Sequence, residues 1–212
     1  MAYVLGYFAA DGSMLKNRRG GHYIEFTTTD RILLRHVQNA TGSNHKVTRR
    51  SSKNKNWKTQ YRLQIGSNHW FDSLRLFGFT QSKSNTLCFP KIPEKYVADF
   101  VRGYFDGDGC VYFKKLKYAD RVSKRWILMS LFTSGSRPFL KTLHELLKRQ
   151  GVLGGSIKNK VRGFELVFSH KDSLALYLFI YHNTKVTGLY LPRKYQLFSK
   201  AIKTLYPDAA VV

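Results

Sequence analysis

Residues Val4-Leu5-Gly6-Tyr7-Phe8-Ala9-Ala10-Asp11-Gly12 return, 97 positions later, as Val101-Arg102-Gly103-Tyr104-Phe105-Asp106-Gly107-Asp108-Gly109. Six of the nine positions are identical, and the segments after each copy also match in order. Phe26-Thr27 answers Phe132-Thr133. The stretch closing at Gly42 answers one closing at Gly151. Tyr61-Arg62-Leu63-Gln64-Ile65 answers Phe164-Glu165-Leu166-Val167-Phe168. One short match arises by chance, but an ordered series marks an internal repeat. The chain reads as two halves, 1–92 and 93–212, folding as one compact unit.

Each nonapeptide is apolar until it stops at Asp-Gly, which predicts a short helix and then a turn. In the first half the helix covers residues 2–10, and residues 13–18 and 22–29 form a hairpin around Gly20-Gly21. There Ile24, Phe26 and Thr28 alternate with Glu25, Thr27 and Thr29, the period of a half-buried strand. Asp30 stands where a cap belongs, ahead of a helix running to Gly42. Next come strands over 46–50 and 59–65, then a helix over 68–77. The second half repeats the order, with helices over 95–108, 136–150 and 171–182 and strands over 110–117, 126–133, 156–160 and 164–169. A last helix over 192–205 has no counterpart. Helix–hairpin–helix–hairpin–helix, twice, is an α+β pattern with antiparallel sheets.

The 212 residues carry 36 Lys+Arg against 13 Asp+Glu, a formal charge of +23, with 43% hydrophobic and 15% aromatic residues. That apolar mass excludes a disordered chain. Cys88 and Cys110 alone exclude a disulfide framework and fit a reducing compartment. Seven histidines without ligand spacing argue against structural zinc. The longest apolar run, Leu174 to Tyr181, is far short of the ~20 residues that span a bilayer. Residues 2–10 lack the basic segment of a secretory signal. The expected setting is therefore intracellular, cytoplasmic or organellar, beside a genome and away from membranes. So large a positive excess makes a polyanion the default partner.

The basic residues gather on the hairpins. Lys16, Arg18 and Arg19 belong to the first; Arg49, Arg50, Lys53, Lys55, Lys58 and Arg62 crowd the second. Lys114, Lys115, Lys117, Lys124 and Arg125, then Lys158, Lys160 and Arg162, do the same in the other half. A two-stranded ribbon fits a major groove. Lys and Arg there would bind phosphates, and interleaved Gln64, Asn54, Asn56 and Arg62 could read base edges. Trp57, in a Lys/Asn-rich loop, is a candidate for stacking on DNA.

Gly6 and Ala10 fall on one helical face, as do Gly103 and Gly107, and small residues at that spacing let two backbones approach closely. Packing the copies together brings Asp11 and Asp108 to matching ends. Carboxylates between basic sheets, with phosphate oxygens and water, suit Mg2+ and hydrolysis of a phosphodiester. An Asp-Gly pair is also a plain turn. Asp is scarce here, however, and it recurs at the same point. Asp106, opposite Ala9 in the first copy, reads as local structure or capping.

The two nonapeptides resemble the signature of the LAGLIDADG homing endonucleases, in the single-chain form that carries two copies. Lys91-Ile92-Pro93-Glu94-Lys95-Tyr96 ahead of the second copy is similar to the same family, as is Ser82-Lys83-Ser84 with Leu87 and Phe89-Pro90. The resemblance runs over nearly the whole chain. It implies two pseudo-symmetric αββαββα repeats forming an antiparallel-sheet DNA-binding saddle. It also implies a monomeric, Mg2+-dependent endonuclease that cuts both strands of a long, specific double-stranded DNA site across the minor groove, leaving short 3′ overhangs. On this likeness Asp11 and Asp108 are the catalytic, metal-binding carboxylates, one per strand. Lys83 and Lys194 match basic residues that polarise the site, with Lys185 a weaker match. Thr28 or Thr29, and Ser134, are candidates to position water. Ala9 departs from the family pattern, and the first helix is short. The first residue is neither Cys nor Ser and no His-Asn ends the chain, so a free-standing or intron-type enzyme is expected over an intein domain. Two rivals share the scaffold: an RNA-binding intron maturase, with intron RNA as partner, and a non-cleaving DNA-binding regulator. The paired acids favour the nuclease.

Overall fold

In the computed structural model, which describes residues 1–50, 58–117, 123–182 and 188–209, the alternation at 22–28 becomes strand β2 (His22–Thr28). Ile24 and Phe26 turn into the core and are fully buried, while Glu25 and Thr27 stay half-exposed. β1 (Gly12–Lys16) pairs with β2 across a turn. The Asn17 side-chain oxygen accepts the amides of Arg19 and Gly21, and Gly20 supplies a φ of +82° that L side chains resist. β3 (Val47–Arg50) and β4 (Gln60–Gly66) complete an antiparallel sheet in the order β1-β2-β4-β3.

Three helices back this sheet: α1 (Ala2–Asp11), α2 (Arg31–Thr41) and α3 (Asn68–Leu76). Phe8, Leu34, Leu63 and Phe71 are buried with Phe26 in its core. Caps differ from expectation in one place. Asp30 precedes α2 but makes no side-chain bond to a helix amide; its own amide goes to the Thr28 hydroxyl at 3.1 Å. Ser67 does cap α3, accepting the Trp70 amide at 3.1 Å. Ahead of the second nonapeptide, a single 3-10 turn (Glu94–Tyr96) takes the place of the predicted first helical residues, and α4 runs Val97–Asp108.

The second sheet repeats the first in β5 (Gly109–Leu116), β6 (Arg125–Ser134), β7 (Ser156–Lys160) and β8 (Gly163–Ser169), ordered β5-β6-β8-β7. α5 (Arg137–Arg149) and α6 (His170–Tyr181) back it, and α7 (Pro192–Leu205) adds a helix beside β5. Ser136 caps α5 by accepting the Phe139 amide at 3.3 Å. The register is the same in both sheets. Gly12 faces Phe26 as Gly109 faces Phe132; Phe26 faces Leu63 as Phe132 faces Leu166; Val47 faces Leu63 as Ile157 faces Leu166. The α+β fold is thus two copies of one αββαββα plan. By contacts the chain divides into compact units Met1–Gly107 and Asp108–Val212, so most of α4 belongs with the first. Among the described residues no helix is long and apolar enough to cross a membrane.

Candidate nuclease site and nucleic-acid interface

Within the first unit α1 and α4 meet backbone to backbone. A Cβ on Gly6 would stand 1.9 Å from the Phe100 carbonyl oxygen, and one on Gly103 would stand 2.0 Å from that of Tyr3. At Gly107 it would lie 2.4 Å from the Ala10 Cβ and 3.3 Å from a carboxylate oxygen of Asp11. Only glycine fits such an approach. Polar groups flank the contact. The Tyr3 hydroxyl donates to Asp106 at 2.7 Å, and the Arg102 guanidinium lies over the Tyr3 ring and pairs with Asp99 at 2.5 Å. Asp106 and Arg102 are each 1% exposed. Asp106 therefore joins two helices, a structural role. Sequence reasoning misses Arg102; an arginine three residues after Asp99 in an apolar helix is the available signal.

Asp11 is the last residue of α1 and is half-exposed. Beside it the Lys83 ammonium, 7% exposed and carried on a 3-10 turn (Lys83–Asn85), donates to the carbonyls of Ala9 at 3.0 Å and Ala10 at 3.4 Å. These are helix-terminal carbonyls, at the negative end of the helix dipole, where a cation is favoured. In the second unit Asp108 ends α4, and Lys194, 6% exposed, donates from α7 to the Gly109 carbonyl at 2.5 Å. Lysine is almost never buried unless partnered. Both lysines are buried, and both bond backbone within two residues of a signature acid.

Tyr7, one turn before Asp11, is fully buried and stacks on Phe26 at 5.5 Å. Burial, and then the charge of Asp11, hold its phenol well above the usual tyrosine range, with the Thr28 hydroxyl opposing. Thr28 and Ser134 occupy equivalent strand ends, and each hydroxyl accepts the amide two residues on, at 3.1 Å, closing a turn. Thr29 is exposed. Among the described residues no three His, Cys, Asp or Glu side chains cluster as a metal cage. A cation at Asp11 or Asp108 would be held by carboxylate, phosphate and water oxygens, a donor set that suits Mg2+.

Strand alternation sorts the basic residues. Arg50, Arg62 and Gln64 share the open face of the first sheet. Arg62 lies 3.6 Å from Glu25, and Gln64 donates to the same carboxylate at 3.2 Å. Lys16 and Arg49 fall on the core-facing alternation and reach solvent at strand ends, Arg49 bonding the Thr59 hydroxyl at 3.4 Å. Arg18 and Arg19 occupy the β1–β2 turn, and Lys58 precedes β4, all exposed. On the second sheet Lys114, Lys158 and Lys160 take the open face, with Lys160 paired to Glu165 at 2.5 Å. Lys115 lies on the other face, over the Trp126 ring. Lys117, Lys124, Arg125 and Arg162 are exposed at the hairpin ends. Lys53, Asn54, Lys55, Asn56, Trp57 and Lys185 lie outside the described residues.

A family model described as the LAGLIDADG-like domain matches residues 1–74 and again 95–178. Among curated proteins the chain is 30% identical, over 153 residues, to a probable translation initiation factor IF-2 of Thermococcus kodakarensis, covering 68% of this chain and 12% of that one. It is 28% identical, over 139 residues, to a reverse gyrase of Methanocaldococcus jannaschii, covering 63% and 8%. The chain thus spans only a small part of these much longer relatives. Among solved structures it resembles the I-SmaMI LAGLIDADG homing endonuclease bound to cleaved DNA, with TM-score 0.63 and 16% identity over 99% of this chain and 91% of that one. I-SmaMI bound to an uncleaved DNA target with calcium ions gives 0.62 and 16% over 99% and 93%. The homing endonuclease I-WcaI bound to its DNA recognition sequence gives 0.61 and 17% over 93% and 84%.

Proposed function

The chain belongs to the LAGLIDADG-like family, and from that premise we propose that it is a site-specific endonuclease of double-stranded DNA. It acts as a monomer with a divalent cation, Mg2+ by the donor chemistry, and residues 1–92 and 93–212 each serve one half of the target. The observation that carries this reading is the repeated placement of a half-exposed acid at a helix end with a buried lysine bonded to the neighbouring backbone. Asp11 and Asp108 would each hold a cation and serve one strand. A cation so held supplies Lewis-acid stabilisation of the leaving oxygen and a more acidic attacking water. Lys83 and Lys194 add fixed positive charge beside the scissile phosphates. Their bonds to backbone carbonyls hold that charge in place before substrate arrives, so little reorganisation is needed during reaction. The basic hairpins bind phosphates, with strong salt dependence. Its place of action is an intracellular, genome-containing compartment.

The test is cleavage of a randomised DNA library with Mg2+, comparing wild type with Asp11→Asn and Asp108→Asn. Double-strand breaks at one selected site, lost in each variant with the partner strand still nicked, are the expected result. Salt-dependent binding without any cutting would overturn the enzyme reading in favour of a DNA-binding regulator.

A further inference from the structure

The shared register makes the open faces of the two sheets comparable position by position. Ser13, Glu25 and Gln64 form one row across the first sheet; Cys110, Leu131 and Val167 form the same row across the second. Every member of the first row carries a polar group, and Glu25 gathers both Gln64 and Arg62. In the second row Leu131 and Val167 are apolar and half-exposed like their counterparts, while the next row is apolar in both sheets, Tyr112 and Met129 answering Leu15 and Tyr23. A protein of charge +23 thus turns an apolar strip outward, between Lys114 and Lys158.

We infer that the two half-sites are read by different chemistry. The first sheet discriminates bases by hydrogen bonds, through Arg62 and Gln64. The second discriminates by packing Leu131 and Val167 against thymine methyl groups, so its half-site is thymine-rich. In the major groove the thymine methyl is the apolar recognition element, whereas Arg and Gln suit guanine and adenine edges. Flanking lysines provide phosphate contacts that seat such a strip on DNA, which a purely protein-binding patch does not need. This inference rests on the endonuclease reading for its ligand.

The experiment uses the wild-type chain and its selected target, with uracil replacing thymine in one half-site at a time. Uracil differs only by the missing methyl. Each lost methyl contact should weaken binding about fourfold, from the ~0.8 kcal/mol of a buried carbon. Over the half-site the loss should exceed about tenfold, against roughly twofold or less in the other half. Cys110 is exposed within the strip, so a Cys88→Ser variant and duplexes carrying a thiol-tethered base identify which half-site the second sheet covers. Disulfide capture from the methyl-dependent half is expected. Equal uracil effects in both halves, or capture from the insensitive half, would overturn the inference while leaving the endonuclease reading intact. If no DNA site is selected at all, both fall, and a protein ligand for the strip becomes the working alternative.

Discussion

Lys83 reaches the end of α1 from a single 3-10 turn, whereas Lys194 reaches the backbone after Asp108 from a helix of 14 residues. The turn is held by Phe79 before it and Leu87 after it; the helix is held along its length by Phe198, Ala201 and Ile202. Two copies of one plan thus deliver one charge through unlike supports. What persists between the halves is a buried ammonium bonded to backbone within two residues of the acid, on the helix side of Asp11 and on the strand side of Asp108. The backbone that carries it varies. A short turn with few buried contacts opens at lower free energy than a packed helix, so the first half should be the more easily disturbed.

The largest expected effect tests whether unlike supports do equal chemistry. Lys83→Met and Lys194→Met should each slow cutting of one strand about a hundredfold, as loss of a preorganised electrostatic group does. Strand-resolved nicking with end-labelled target measures it, and a loss confined to Lys194→Met would break the equivalence. Next come the glycines. Gly6→Ala and Gly103→Ala drive a Cβ into a carbonyl of the facing helix, and each should cost about 2 kcal/mol in urea unfolding. A strongly unequal pair of costs would show that the approach is not shared evenly by the two helices. Smaller is Tyr3→Phe, which withdraws the hydroxyl bonded to Asp106 and should cost about 1–2 kcal/mol by equilibrium unfolding. The smallest effect lies at high pH. Tyr7 ionises less readily folded than unfolded. Its contribution is therefore complete below the ordinary tyrosine pKa of about 10 and is lost as pH rises from there through the raised folded value. Tyr7→Phe should flatten the alkaline fall in stability. An unchanged alkaline slope would mean that another group carries it.

Much of the architecture was legible because it depends on local periodicity. The two-residue alternation of 22–28 and the ordered repeats require no knowledge of distant contacts. The helix interface was legible only in part. Gly6 and Gly103 announce a close approach, but Tyr3, Asp99, Arg102 and Asp106 become one polar cluster only once α1 and α4 lie together. Asp30 has the right residue type for a cap and lacks the bond, because the chain turns at Thr28 first. Lys83 and Lys194 show the limit most clearly. Each stands in an unremarkable loop or helix-start sequence, where lysine is ordinarily solvated. The likeness to a family singled them out; their burial is a property of the tertiary structure alone.

On the proposed reading of DNA by the two sheets, their common register has a practical consequence for retargeting. Core side chains point to the backing helices, and the alternate side chains point away. Ser13, Glu25 and Gln64, or Cys110, Leu131 and Val167, can therefore be randomised as separate cassettes without disturbing the hydrophobic layer. Because the rows occupy equivalent lattice points, a combination selected in one cassette can be transplanted into the other.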